Sequence, residues 1–253
     1  MPDFTRDVCR AIENARTVAM PFVHLEFEGV FPHDVYSEML RDMPRSQNYR
    51  RLSGRSKETD RDGKPTRVKM ELLPEYIAHL PRDRRAVWKA VSETLCSNEL
   101  QRAFRRKLAE PLARRFGPEF EKMRFYPVPL LTRDTLGYAI PPHTDTSWKG
   151  ITVQFYLPPD DSNTHIGTVF LEQRPDGTWD RVSKMRFAPN SGYAFAVDRH
   201  TWHSVDEVGP EVKSRDSILL TYVVDAGGFR VLRNRLHRGA NMLLNEWRHW
   251  TRR

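Results

Sequence analysis

The chain is poor in cysteine, has no long apolar run and carries no internal repeat. Cys9 and Cys96 are its only two cysteines in 253 residues. Two thiols in a chain of this length make no disulfide framework. They fit a reducing compartment, and a cytoplasmic protein is expected. No apolar run approaches the roughly 20 residues that a membrane-spanning helix needs, so no membrane partner is expected. The opening MPDFTRDVCRAIENARTV shows no basic region followed by an apolar one, and no secretory signal is expected. Low-complexity tracts are absent too. With 39 % hydrophobic residues the chain can bury a sizeable core, which excludes a disordered tail or a small stapled scaffold.

What the chain has in excess is positive charge, +8 in formal balance. Much of it is local. From Arg230 to Arg253 seven arginines face the single acid Glu246, a balance of +6. Such a segment can bind nucleic acid or an acidic partner. No nucleic-acid motif accompanies it, so the plainer reading is a solvated helix face, and nucleic acid is not an expected partner.

The period of the apolar residues changes along the chain. Residues 3–18 read as a helix through Val8, Ile12 and Ala15. PFVHLEFEGVFP (21–32) alternates as a strand, and VYSEMLRDM follows as a short amphipathic helix with Asp34 as its cap. Residues 71–116 keep helical spacing, with Asn98 placed to cap the second helix. From residue 122 the period becomes alternating. Strands are predicted at 123–131, 151–157, 168–173, 184–187, 192–197, 202–208 and 216–224, separated by Pro158-Pro159, Asp176-Gly177, Asn190-Ser191-Gly192 and Gly209-Pro210. Helices first and short regular strands second predict an α+β fold whose β part is a sandwich, jelly roll or barrel. The end, GANMLLNEWRHW, reads as a terminal helix.

Chemistry gathers in three short segments. His143-Thr144-Asp145 places an imidazole and a carboxylate at i and i+2, on one side of an extended segment. His203 follows on a strand about sixty residues later. Two histidines and one carboxylate on one face of an octahedron leave three positions open, the facial triad that suits non-haem Fe(II). Twelve residues beyond His203, Arg215-Asp216-Ser217 leads into ILLTYVV. A guanidinium and a hydroxyl at i and i+2 suit the distal carboxylate of a dicarboxylic cosubstrate.

Together HTD at 143–145, APNSGYAFAV before the distal histidine, WHSV at 202–205 and RDS at 215–217 resemble the Fe(II)/2-oxoglutarate-dependent dioxygenase superfamily, in its order and spacing. The resemblance covers residues from about 123 to 225. It implies a double-stranded β-helix, a jelly-roll, cupin-like core with N-terminal helices packed outside and a C-terminal helix. It implies that His143, Asp145 and His203 ligate Fe(II) and that Arg215, helped by Ser217, holds 2-oxoglutarate, with O₂ as oxidant. His200 competes for the third ligand position, and the HSV context and the offset to Arg215 favour His203. Family members that halogenate have Gly or Ala in place of the carboxylate, so Asp145 implies hydroxylation of an aliphatic C–H.

The expected organisation is a single oxygenase domain over 1–253: a mainly helical lead-in over 1–121, a catalytic jelly roll over 122–225 and a basic helix over 226–253. Tyr138, Trp148, Lys149, Gln154 and Arg133 are candidate substrate residues, and Thr152, Gln154 and Tyr156 share one strand face. Residues 45–69 are charged and Gly-rich, with nine cations against Glu58, Asp60 and Asp62. They are expected to form a lid over a small polar or anionic substrate. Three rival readings remain, one of them a catalytically dead oxygenase fold used as an interaction domain, against which the complete triad counts. A nucleic-acid-modifying oxygenase of the same superfamily usually has a second Arg six residues after the first, where this chain has Thr221. A non-redox cupin-like binding or isomerase module would explain the strands but not Arg215 and Ser217.

Overall fold

A computed structural model describes residues 2–51, 59 and 63–224. The helix expected over 226–253 lies outside the described residues, as does most of the centre of the expected lid. In chain order the elements are α1 (Thr5–Glu13), β1 (Arg16–Val18), β2 (His24–Glu28), α2 (His33–Arg41), β3 (Arg50–Arg51), β4 (Arg67–Glu71), α3 (Pro74–Ile77), α4 (Arg82–Leu95), α5 (Asn98–Lys107) and α6 (Ala109–Phe116). Then come β5 (Phe125–Asp134), β6 (Ile140–His143), β7 (Lys149–Tyr156), β8 (Thr168–Gln173), β9 (Trp179–Lys184), β10 (Ser191–Ala196), β11 (His203–Val205) and β12 (Arg215–Val224).

The strands form two sheets with antiparallel pairing throughout. The larger runs β1-β2-β10-β7-β12-β5-β4-β3 and the smaller β6-β11-β8-β9. They close over each other as a double-stranded β-helix, the jelly roll that the alternating pattern and the resemblance imply. Four strands of the larger sheet come from the first 121 residues, so the lead-in is built into the sheet as well as packed on it.

Alternation gives the larger sheet two unlike faces. Ile151, Val153 and Phe155 of β7 point outward with Ile218, Leu220 and Tyr222 of β12 and Leu131 of β5. There they share one core with Val87, Trp88, Val91 and Leu95 of α4 and Leu100 and Phe104 of α5. Each fully buried aliphatic or aromatic side chain of this layer contributes roughly 1.5–3 kcal/mol. The inner face carries Tyr156, Tyr193 and Phe195, which pack with Phe170, Phe187 and Tyr138. Strands β10 and β7 approach closely enough that a Cβ at Gly192 would lie 2.0 Å from the Gln154 carbonyl oxygen. The turn before it is held by Asn190, at φ 52°. Its amide accepts from Phe31 N at 2.9 Å and donates to Phe31 O at 2.7 Å.

Several boundaries differ from the sequence expectations. The first helix stops at Glu13, because Arg16, Thr17 and Val18 pair with Glu26, Leu25 and His24. Helix α2 is capped by Pro32, and Asp34 sits in its first turn. The cap of α5 is Ser97, whose hydroxyl accepts from Leu100 N, with Asn98 one position inside. The strand expected at 184–187 lies earlier, at Trp179–Lys184, where it continues the hairpin turn through Gly177 and pairs with β8. The ends of the expected lid form the β3–β4 hairpin, and β4 pairs with β5.

Candidate functional site

His143 ends β6 and His203 begins β11, and the register sets them directly opposite each other. Their rings stand 4.2 Å apart, centre to centre. Asp145 follows two residues after His143. The ligand atoms of these three side chains lie within 4.8 Å of one another, and among the described residues no other such group of His, Cys, Asp or Glu occurs. Each imidazole is aimed by its own backbone. His143 Nδ1 lies 2.9 Å from Pro141 O and His203 Nδ1 lies 3.0 Å from Thr201 O. A carbonyl partner favours the tautomer with the proton on Nδ1, which leaves the Nε2 lone pair available to a metal ion.

Electrostatics suit metal binding as well. Burial pushes the His203 imidazole down to about 4, with His143 adding to the effect and Asp145 opposing it. The ring is therefore neutral near pH 7, as a ligand must be. For Asp145, burial acts to raise the carboxyl, but the Lys149 ammonium, His203 and Thr152 outweigh it and hold the group below the usual carboxylate range. Lys149 Nζ donates to one carboxylate oxygen, and Thr152 Oγ1 donates to the other at 2.5 Å. His200 stands apart, exposed on the preceding turn with Arg199 Nε 2.9 Å from its ring.

The second half of the site lies deeper on the inner face. Arg215 is wholly buried. Its Nε donates to Ile166 O at 2.8 Å, one terminal nitrogen to Asp134 Oδ2 at 2.8 Å and the other to Thr168 Oγ1 at 3.3 Å. A guanidinium has five N–H donors, so two remain after these three bonds. Asp134 is itself wholly buried and forked onto Arg67, at 2.5 and 2.8 Å. The Ser217 hydroxyl accepts from Gln154 Nε2 at 2.8 Å and lies 2.9 Å from Thr132 Oγ1. Tyr193 donates to Gln154 Oε1 at 2.8 Å, and Tyr156 and Tyr193 both meet Thr168 at 3.0 Å.

Two strands connect the halves. On β7, Thr152 touches Asp145 while Gln154 touches Ser217. On β8, Phe170 is registered against His203 while Thr168 meets Arg215. In both cases the two residues are i and i+2 on one face, a step of roughly 7 Å. The triad and the Arg215–Ser217 end are thus offset by one such step along both strands.

The candidate substrate residues divide. Lys149 bonds the carboxylate of Asp145, and Gln154 belongs to the inner network. Tyr138 is wholly buried at the deeper end, its ring 4.1 Å below the Arg67 guanidinium. Trp148 is 39 % exposed with Lys149 Nζ 5.8 Å from its ring centre. Arg133 faces the other way. It lies on the outer parity of β5 with Leu131, pairs with Asp216 at 2.7 Å and covers the Tyr49 ring at 5.0 Å. Alternation along β5 carries that distinction, since Thr132 and Asp134 share the inner face and Arg133 cannot.

Sequence reasoning missed Asp134, Arg67 and Arg115. Asp134 lies three residues past the strand expected at 123–131, because β5 runs on through Thr132 and Arg133 to Asp134. Arg67 is one of the nine cations of the expected lid, yet Arg50, Arg67 and Lys69 of that stretch all pair with carboxylates of the sheet. Arg115 bonds only to main-chain carbonyls, which leave no mark in a sequence.

No protein-family model matches the chain, and no curated protein matches it. Solved structures do. A prolyl-4-hydroxylase from Pseudomonas putida superposes with a TM-score of 0.52 at 12 % identity, over 88 % of this chain and 99 % of that one. The prolyl hydroxylase of Trichoplax adhaerens, in complex with a hypoxia inducible factor oxygen degradation domain peptide fragment, gives 0.51 at 12 %, over 87 % and 89 %. The dioxygenase for auxin oxidation 1 from Arabidopsis thaliana, in its 2-oxoglutarate complex, gives 0.51 at 14 %, over 89 % and 90 %. At such identities the likeness is one of fold. The resemblance carried by the motifs therefore extends to the three-dimensional framework that holds them. Among the described residues no helix is long and apolar enough to cross a membrane.

Proposed function

We propose that the protein is an Fe(II)- and 2-oxoglutarate-dependent dioxygenase that hydroxylates an aliphatic C–H of a small polar or anionic molecule. The observation that carries this reading is the pairing of two sites at a fixed interval. His143, Asp145 and His203 converge at one end, and the buried Arg215 keeps two donors unspent at the other. The donor set fits Fe(II): two imidazoles and one carboxylate converging on one point, the facial set that leaves other positions of an octahedral ion open. The hydroxylases and the dioxygenase that share the fold support the choice of chemistry.

Bound there, Fe(II) with 2-oxoglutarate would supply the oxidation, one oxygen atom of O₂ entering the product and the other entering succinate as CO₂ is released. The protein's part is to bind, orient and exclude water. His143, Asp145 and His203 would hold the metal. Arg215 would take the distal carboxylate by a paired, charge-assisted contact, and the Gln154–Ser217–Thr132 network would keep the adjoining wall polar and fixed. Lys149 offers an ammonium beside the metal ligands, with Trp148 next to it, for an anionic group of the substrate. Asp145 supplies a third protein ligand where a halide would otherwise need space, which favours hydroxylation.

A screen of small polar and anionic compounds, read out by succinate release under isotopically labelled O₂, tests the proposal. The expected result is label in both succinate and a hydroxylated product. Chlorinated product in chloride buffer, or succinate without label, contradicts it.

A further inference from the structure

The oxygenase motifs all lie between residues 123 and 225, yet two arginines from the first 121 residues reach into the walls of the site. Arg115 is on α6 and half-buried. Its guanidinium donates to Ser147 O at 2.6 Å, to Lys149 O at 2.7 Å and to Val197 O. Ser147 and Lys149 flank the turn just after Asp145, and Lys149 is the residue that bonds the Asp145 carboxylate. Val197 opens the segment in which Asp198 and Thr201 bond each other and aim His203. One side chain therefore ties together the two chain segments that bring the second and third triad members.

Arg67 is on β4. Registered pairing sets Arg67 opposite Asp134 and Asp134 opposite Arg215, so the three side chains form one row across β4, β5 and β12. Asp134 gives Oδ1 and Oδ2 to Arg67 and shares Oδ2 with Arg215. Its charge is divided between two guanidinium groups. Arg215 is thus held in plane without being fully neutralised, which leaves it able to attract a further carboxylate. Removing Arg67 would hand the whole of Asp134 to Arg215 and weaken that attraction. A buried charge pair is governed by such local partners because solvent does not screen it.

We infer that Arg115 and Arg67 are positioning residues that divide the site between them, Arg115 serving the metal end and Arg67, through Asp134, the carboxylate end. The inference rests on the oxygenase reading above. It makes the lead-in part of the working site, and it predicts that the two ends can be damaged separately.

The test is a double dissociation on the full-length protein, with Mn(II) in place of Fe(II) so that no turnover is needed. Mn(II) affinity is read by the electron paramagnetic resonance signal of the free ion. Preference for the distal carboxylate is read by calorimetry, as the affinity ratio of 2-oxoglutarate to 2-oxopentanoate, which lacks that group. Arg115→Met should weaken Mn(II) by roughly ten- to hundredfold, the usual cost of disturbing the groups that orient metal ligands. Arg115→Lys should recover part of the loss, and neither should change the ratio. Arg67→Met should leave Mn(II) affinity in place and lower the ratio about tenfold, the scale of one charge-assisted contact. Arg67→Lys, which keeps the charge but loses the fork, should fall between and serves if the Met variant is insoluble. Losses of both properties in step with melting temperature, or an unchanged value in either variant's own readout, overturn the inference alone. A wild-type chain that binds no Mn(II), or shows no preference for 2-oxoglutarate, overturns the oxygenase reading and this inference with it.

Discussion

The two faces of the larger sheet are made by the same strands and do different work. Along β7 the outward residues Ile151, Val153 and Phe155 enter the helical core, while the inward Thr152, Gln154 and Tyr156 are all buried and all polar or hydroxylated. Burial is therefore no guide to function here, because both faces of the strand are buried. What separates them is hydrogen bonding. The outer face is held by area and shape, so its residues are exchangeable for others of like volume. The inner face is a connected network from Asp134 through Arg215, Thr168, Tyr193 and Gln154 to Ser217. A buried polar group costs free energy whenever a partner is lost, and each member constrains the next.

That contrast can be broken by substitution. Arg215→Met should have the largest effect, because it acts on both sides of the comparison. It removes one of the two guanidinium partners of the buried Asp134, at a cost of about 1–3 kcal/mol of folding stability, and it should abolish measurable 2-oxoglutarate binding. Urea unfolding and calorimetry check the two halves, and normal 2-oxoglutarate affinity in the folded variant would refute the role. Leu220→Ala, on the outer face of the same strand, should cost about 2–5 kcal/mol of stability through lost burial and a cavity. The fraction that remains folded should bind Mn(II) and 2-oxoglutarate as the wild type does. A specific loss of ligand affinity there would show that the faces are not separable. Ser217→Ala should be the mildest, about 1 kcal/mol of 2-oxoglutarate affinity and about 1 kcal/mol of stability, because Gln154 Nε2 loses its acceptor while Thr132 keeps the Ser217 carbonyl.

Much of this was legible in the sequence, for reasons that can be named. Strands β7, β10 and β12 announce themselves by alternation or by short apolar runs between turn signals. His143 and Asp145 share a face by parity alone. His203 sits opposite His143 only because β11 pairs with β6, and it was the resemblance in motif order, not periodicity, that chose it over His200. The Thr201 and Asp198 bonds that turn His203 inward and leave His200 in solvent are local, but no residue pattern states them. The β3–β4 hairpin was hidden by its charge. Arg67 and Lys69 look like solvated cations until β4 pairs with β5 and gives each a carboxylate. The row Arg67–Asp134–Arg215 joins residues 67 and 81 positions apart, and cross-strand register of that range is a property of the folded sheet. Boundaries shifted for a related reason. Residues 16–18 continue a helical pattern in sequence, but the edge offered by β2 claims them as a strand.

Every role assigned above depends on His143, Asp145 and His203 forming one Fe(II) site. Anaerobic addition of Fe(II) and then 2-oxoglutarate to the full-length protein tests this most directly, followed by the visible charge-transfer band of a 2-oxo acid chelated to Fe(II). The band should appear in the wild type and in His200→Ala, and it should be absent in His143→Ala, Asp145→Ala and His203→Ala that remain folded by circular dichroism. A band that survives His203→Ala and disappears in His200→Ala, or no band in the wild type, would contradict the assignment.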